Sequence, residues 1–87
     1  MKPELRFRQV HLDFHTSPVI SGIGTAFDKK QWQERLQIAH VDSITCFSCC
    51  HHGWSYHPTK VGAMHPGLNF NLLREQIDAS HEIGVNV

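Results

Sequence analysis

Strand-like and helix-like segments alternate along this chain, and the connections between them have two unequal lengths. The residue pattern predicts the order strand, helix, strand, helix, strand, with long loops after the strands and short turns, such as residues 41–42, after the helices. In right-handed β/α units the binding residues gather on the loops that follow the strands, at the carboxyl edge of the sheet. The sequence therefore predicts an α/β fold, a parallel β-α-β-α-β segment, with its functional residues along that edge.

The first strand is predicted over residues 8–15, where apolar and polar residues alternate with the period of two that a strand gives its side chains. Its two faces carry Val10, Leu12 and Phe14 on one side and His11, Asp13 and His15 on the other. In a closed barrel the polar face of such a strand points inward, which places His15 at the mouth, where ligands bind. We interpret His15 as a ligand contact, and His11 and Asp13 as a hydrogen-bonded structural pair.

The first helix is predicted from about residue 29 to residue 39. Asp28 can serve as its N-cap, with Gln31 three residues later completing a capping box. Phe27 can pack on Trp32 as a hydrophobic staple. The side chains that recur at helical spacing and should face the sheet are Trp32, Leu36 and Ala39.

The second strand, about residues 43–48, has few charges and no clean alternation, which is typical of a parallel strand covered on both faces. A second helix can begin at Asn69 or Asn71, and Gly84 suits the left-handed residue that ends it. The face of this helix is expected to contain Leu73, Ile77 and Ser80. Residues 85–87 then begin a third strand.

Two β/α units and the start of a third strand form only part of a barrel, because a (β/α)₈ TIM barrel takes about 250 residues. We therefore interpret residues 1–87 as the N-terminal fragment of a single barrel, roughly its first third. This fragment alone would leave parallel strand edges and apolar faces open. Stable independent folding is not expected, and the open edges could pair in a homo-oligomer.

The composition argues against several classes of partner. Eight basic and eight acidic side chains cancel, so no broad positive field is present to hold nucleic acid. No stretch approaches the length of a membrane span, and charges stand where a secretory signal would have its apolar core. Three cysteines, two of them adjacent, do not form a disulfide framework and fit a reducing compartment. We expect a cytoplasmic protein without nucleic-acid or membrane partners.

The segment that follows the second strand, residues 49–60, concentrates imidazoles, aromatic rings and a lysine. Neutral imidazole has one donor and one acceptor, which lets His51 and His52 bridge neighbouring hydroxyl groups, while Trp54 or Tyr56 offers a flat face to the C–H side of a pyranose ring. For Trp54 a structural role, filling a gap between loops, stays equally open. A sugar is the ligand that fits this chemistry. A structural role is favoured for four further residues: Cys46, Tyr56, His57 and His65.

A metal site is an alternative use of the same residue types. Two groups could supply zinc ligands: His11, Asp13 and His15 in the first strand, and Cys49, Cys50, His51 and His52 after the second. Consecutive residues on an extended segment point in opposite directions, so four in a row cannot converge on one tetrahedral ion. We therefore expect no metal and no other cofactor, while a mixed metal site that draws on both groups stays open as an alternative. A metal-dependent barrel hydrolase that uses the first group stays open as an alternative, as does a small non-enzymatic carbohydrate- or zinc-binding module.

The same segments resemble α-L-fucosidase-like glycoside hydrolases. In that family a strand ends in a His-His-Asp-Gly-aromatic motif followed by a Trp-Pro-Ser-Lys-like stretch, and residues 51–60 of this chain read HHGWSYHPTK. His15 is similar to the histidine that ends the family's first strand. The whole chain, including VHLDFHTS at residues 10–17 and KVGAMHP at residues 60–66, resembles more closely a group of bacterial glycosyl hydrolases with fucosidase-like and β-galactosidase-like barrels.

This resemblance implies a (β/α)₈ glycoside hydrolase that acts on a carbohydrate with retention. It implies that His15, His51 and His52 contact sugar hydroxyls and that Trp54 lines the pocket. The chain lacks the aspartate that the family has before the glycine of the motif, a departure that bears on the loop geometry and on the choice of sugar. The family's carboxylate nucleophile and acid/base lie further along the barrel, so the resemblance places the catalytic residues beyond Val87.

Overall fold

The computed structural model describes residues 6–50 and 53–87, so His51 and His52 lie outside the described residues. The elements within these ranges are β1 (Gln9–His11), α1 (Lys29–Ile38), β2 (Ser43–Thr45), β3 (Trp54–Ser55), β4 (Ala63–Met64) and α2 (Leu72–His81). Two long loops follow the first two strands: the β1 loop, residues 12–28, and the β2 loop, residues 46–71. The predicted alternation of strand and helix is confirmed, and β3 and β4 are additions within the β2 loop.

The sheet is parallel, as predicted. β1 pairs with β2, with Gln9 opposite Ser43, and Ser43 also forms a parallel bridge to Asn86. The Ile44 amide donates to the Asn86 carbonyl at 2.8 Å, and the Asn86 amide donates to the Asp42 carbonyl at 3.0 Å. The start of the third strand therefore lies beside β2, and the order of the strands in the sheet follows their order in the chain.

Both main strands are shorter than the sequence pattern predicts. β1 leaves the ladder near Leu12, whose amide donates to the Thr45 carbonyl at 3.0 Å. Beyond that point the carbonyls of Phe14 and Ser17 accept hydrogen bonds from side chains of the β2 loop. A buried backbone group needs a hydrogen-bond partner, but that partner can be a side chain instead of a neighbouring strand. The alternation of apolar and polar residues therefore does not reveal where the pairing of two strands ends.

The helices cover one face of the sheet. Ile44 is buried on that face, whereas the next residue, Thr45, is exposed. The opposite face also carries His11, which is exposed. Among residues 6–50 and 53–87, α1 and α2 cover one face of the second strand, and the predicted cover on its other face stays a prediction.

Helix α1 begins as predicted. The Asp28 carboxylate accepts from the Gln31 amide at 2.9 Å, and the rings of Phe27 and Trp32 lie 5.5 Å apart as a hydrophobic staple. The chain leaves the helix through a Schellman turn at His40, whose φ of 56° lies in the left-handed region. A histidine thus stands where glycine is the usual residue.

Helix α2 also has the predicted ends. The Asn71 side chain accepts from the Arg74 amide at 2.9 Å, and Gly84 follows the helix with a left-handed φ of 76°. The buried faces follow the prediction in part. Leu36 and Ser80 are buried as predicted, and Leu72 and Ala79 are buried as well, whereas Ala39 is exposed and Leu73 and Ile77 are half-buried. The reason is that the helices pack on each other as well as on the sheet, with Trp32 Nε1 donating to Ser80 Oγ at 2.9 Å.

Two apolar clusters hold the described residues together. The sheet cluster joins α1 to the sheet and is built on Leu36, Ile44 and Val85. The loop cluster joins the β1 loop to the β2 loop and α2, and is built on Ile23, Cys50, Tyr56, Leu68 and Leu72. Cys46 packs half-buried against the sheet cluster, as predicted, and burial raises the pKa of its thiol to about 11. The loop cluster makes the two long loops a packed part of the fold.

Candidate functional site

The candidate site lies at the edge of the sheet where β1 and β2 end. His11 and His15 both pack edge-on against Phe47, which follows β2, with ring centroids 5.4 Å and 4.9 Å from the phenylalanine ring. His15 is therefore held beside the end of the neighbouring strand. Phe47 is a site residue that the sequence analysis missed. Side chains of a strand alternate between its two faces, so Phe47, three residues after the buried Ile44, belongs to the opposite face.

Asp13 is hydrogen-bonded to His15, with its Oδ1 2.6 Å from Nε2 of the ring. The network assigns a hydrogen to Nε2, where it is donated to the carboxylate and fixes the orientation of the ring. The Asp13 and His15 side chains are 62% and 35% exposed, so the pair stabilises the fold by at most about 1 kcal/mol. Its main effect is orientation. The interpretation that Asp13 pairs with His11 is wrong, because the chain leaves strand geometry after β1 and brings Asp13 to His15.

Tyr56 lies at the junction of the two loops and is 1% exposed. Its hydroxyl donates to the Phe14 carbonyl at 3.2 Å and lies 2.9 Å from Thr16 Oγ1. Its ring packs on that of Phe14, with centroids 4.7 Å apart. Burial, with a hydrogen bond to Cys50, raises the pKa of Tyr56 to about 12, so the hydroxyl keeps its proton at neutral pH. The predicted structural role of Tyr56 is confirmed.

His65 is the second fully buried ring at this junction. Its Nδ1 accepts from the Gly67 amide at 2.9 Å, which places the ring hydrogen on Nε2, and Nε2 donates to the Ser17 carbonyl at 2.8 Å. The structural role predicted for His65 is therefore confirmed. His57 also has a local role, because its Nδ1 lies 2.9 Å from the Pro58 carbonyl and its Nε2 lies 3.1 Å from Ser48 Oγ.

Trp54 is half-buried in β3, where it packs against the loop cluster and meets the His65 ring edge-on at 6.0 Å. Part of the indole thus fills the junction and part remains exposed. Its role as a substrate contact stays a prediction.

The residues that flank His51 and His52 are hydrogen-bonded to each other, since the Gly53 amide donates to the Cys50 carbonyl at 2.8 Å. The predicted sugar contacts of the two histidines also stay predictions.

A cavity of about 460 Å³ lies between the sheet and the helices. Its lining is mostly apolar and includes Leu12, Phe14, Phe27, Trp32, Leu36 and Leu72. A sugar needs hydrogen-bonding partners around its ring, and this lining supplies only a minority of polar residues, namely Asp13, Asp28, Gln31, Arg35 and Gln76. The polar site beside His15 is therefore the better candidate for a carbohydrate.

The described residues also bear on the metal alternative. Among residues 6–50 and 53–87, no three His, Cys, Asp or Glu side chains come together in a way that could hold a metal ion. His11, Asp13 and His15 in particular do not converge, because both histidine rings lie against Phe47 and only His15 reaches the carboxylate. In the same part of the chain, neither helix has the length and apolar character that crossing a bilayer requires.

Comparisons with known proteins identify relatives of this chain. A family model described as hypothetical glycosyl hydrolase 6 matches residues 28–87. The solved structure of alpha-L-fucosidase isoenzyme 2 from Paenibacillus thiaminolyticus superposes with a TM-score of 0.91 at 60% sequence identity. That match covers 93% of this chain and 12% of the fucosidase chain, so this chain spans a small part of that protein. The search of curated proteins gave no match.

Proposed function

Because the chain belongs to the hypothetical glycosyl hydrolase 6 family, we propose that the protein carrying it hydrolyses glycosidic bonds, with α-L-fucosides as the substrate class. The predicted resemblance to fucosidase-like glycosyl hydrolases is confirmed by the family match and by the fucosidase structure at 60% identity. The same similarity supports fucose as the sugar.

The observation that carries the proposal is the position of His15. It stands at the edge where β1 and β2 end, oriented by Asp13 and packed on Phe47. In our proposal His15, His51 and His52 bind sugar hydroxyls and Trp54 presents its exposed indole face to the C–H side of the ring. Hydroxyl recognition of this kind needs polar groups held at fixed positions, and the packed loops provide that rigidity.

Retention requires two carboxyl groups about 5 Å apart, one to attack the anomeric carbon and one to protonate the leaving oxygen. Five acids of the described residues already have other contacts: Asp13 with His15, Asp28 at the α1 cap, Asp42 with Arg8, Asp78 with Arg74 and Glu82 with Lys29. We therefore propose that the nucleophile and the acid/base come from outside residues 1–87. This chain would supply sugar contacts, and water would release the glycosyl-enzyme intermediate.

The proposal includes the architecture. We propose that residues 1–87 form the N-terminal part of a (β/α)₈ TIM barrel, which the parallel strand order and the close superposition on the fucosidase support. A carbohydrate is the proposed partner. The cytoplasmic location, the possibility of a homo-oligomer and the absence of nucleic-acid and membrane partners remain predictions from the sequence.

The test uses the complete gene product and p-nitrophenyl α-L-fucoside. We expect hydrolysis that persists in a chelator, and we expect His15→Ala to lower kcat/KM by about tenfold, since one hydroxyl contact to the substrate is lost. His81→Ala, which changes an exposed histidine in the last turn of α2, is the matched control and should leave kcat/KM unchanged. Loss of activity in chelator would favour the metal-dependent hydrolase, and the absence of any glycosidase activity would favour a non-enzymatic binding module.

A further inference from the structure

We propose that Tyr56 and His65 are positioning residues for His15, which hold the backbone on both sides of that histidine from the opposite loop. The inference rests on the proposed function, because it links two buried groups to the sugar contact that we propose for His15.

Tyr56 holds the residues immediately before and after His15. Its hydroxyl donates to the Phe14 carbonyl at 3.2 Å, which leaves its oxygen to accept from Thr16 Oγ1 at 2.9 Å. Tyr56 is 1% exposed and Thr16 is 8% exposed, so water cannot readily replace either bond. A single phenol therefore fixes the chain at residues 14 and 16.

His65 extends this contact by one residue. Its Nε2 donates to the Ser17 carbonyl, and its Nδ1 is held by the Gly67 amide. The imidazole is 1% exposed and stacks on the Tyr56 ring, with centroids 6.4 Å apart and planes inclined by 21°. The two rings thus form one unit of the β2 loop that is hydrogen-bonded to residues 14–17 of the β1 loop.

Packing alone does not require these polar groups. The loop cluster also contains Ile23 and Leu68, which fill space without burying polar side-chain atoms. A buried phenol and a buried imidazole must each recover the hydrogen bonds that they lose to water, and they do so only in one arrangement of the two loops. What they add to the cluster is a fixed register between His15 and the end of β2, where Phe47 lies.

The test compares Tyr56→Phe with Ser80→Ala in the complete gene product. Each variant removes a buried hydroxyl with two hydrogen bonds. Ser80 Oγ donates to the Gln76 carbonyl at 2.8 Å and accepts from Trp32 Nε1, between the two helices. The probe is L-fucose, whose Kd is measured by calorimetry at a temperature at which every variant remains folded. We expect Tyr56→Phe to raise that Kd by about three- to tenfold and Ser80→Ala to change it by less than about twofold.

The variant His15→Ala separates this inference from the proposed function. We expect Tyr56→Phe to cause no further rise in the Kd of L-fucose once His15 is replaced, because Tyr56 affects binding only through the position of the His15 ring. Equal effects of Tyr56→Phe with and without His15 would overturn the positioning role and leave the proposed function intact. An unchanged Kd in His15→Ala would overturn both.

Thr16 provides a second route if Tyr56→Phe does not fold. Thr16→Val removes the hydroxyl that faces Tyr56, and Thr16→Ser keeps it. We expect Thr16→Val to raise the Kd of L-fucose and Thr16→Ser to keep the Kd of the natural protein. Equal values for the two Thr16 variants would contradict the inference.

Discussion

Gly67 is the position at which one added carbon atom tests the contact between the two loops. A Cβ at Gly67 would lie 2.5 Å from the Ile20 carbonyl oxygen and 3.1 Å from Ser21 Cα. These are backbone atoms, which cannot rotate away as the end of a flexible side chain can. Gly67 also accepts from the Ile23 amide at 3.0 Å and donates to His65, so any displacement disturbs both bonds.

The expected cost follows from these contacts. Overpacking of a close contact lowers the free energy of unfolding by about 1–3 kcal/mol. Alanine also restricts the unfolded chain more than glycine does, which raises the free energy of unfolding by about 0.4–1 kcal/mol. We therefore expect Gly67→Ala to lower the free energy of unfolding by about 1–2 kcal/mol. Gly62→Ala is the matched control, since a Cβ there meets nothing closer than Ser55 Oγ at 3.4 Å and its φ is not left-handed. Its effect should stay within about 0.5 kcal/mol.

The assay is urea denaturation of the complete gene product and its two variants, followed by intrinsic fluorescence. The slope of the free energy against urea should be the same for all three proteins, so that a change in midpoint reports a change in stability. If Gly67→Ala were as stable as Gly62→Ala, the close approach of the β1 and β2 loops would be refuted, and with it the basis for placing His15 by contacts from the β2 loop.

Two further predictions concern other parts of the described chain. His40→Gly should raise the free energy of unfolding by about 0.5–1 kcal/mol in the same urea assay, because glycine adopts the left-handed φ of 56° without the steric cost of a Cβ; a loss of stability would contradict the Schellman turn. Burial raises the pKa of Tyr56 from its ordinary 10.0 to about 12, so the stability that comes from the neutral phenol is fully present below pH 10 and is lost, up to about 2–3 kcal/mol, as the pH rises toward 12. Denaturation measured across that range should show this loss in the natural protein and a smaller one in Tyr56→Phe, and equal losses in the two proteins would contradict the burial of the hydroxyl.

Local features of the fold were predictable from the sequence. Asp28 and Asn71 cap the helices, and Gly84 takes the left-handed conformation, because each of these roles depends on residues within one turn of the chain. The parallel order of the strands followed from the unequal loop lengths for a similar reason. Long loops after strands and short turns after helices are the mark of β/α units.

Long-range features were not predictable in the same way. The hydrogen bonds of Tyr56 and His65 to the β1 loop join residues that are 42 and 48 positions apart in the sequence. They depend on side-chain to backbone bonds that leave no periodic signal. One hint was present, since Tyr56 is the only tyrosine of the chain. A buried tyrosine needs a partner for its hydroxyl, which pointed to a role beyond packing.

The candidate site was predicted in part. His15 stands at the strand edge as the alternation of β1 indicated, but the partner of Asp13 was wrong because the strand ends before residue 13. His51 and His52 lie outside the described residues. Their assignment depends on the resemblance of residues 51–60 to the fucosidase motif, and Trp54 has a packing role beside the proposed contact with sugar.

The most direct test is a crystal structure of the complete gene product with L-fucose bound. We expect a sugar hydroxyl within hydrogen-bond distance of the His15 ring and the exposed face of Trp54 against the pyranose, at the edge where β1 and β2 end. A fucose molecule held in the apolar cavity between the sheet and the helices, or bound without contact to His15, would contradict this account.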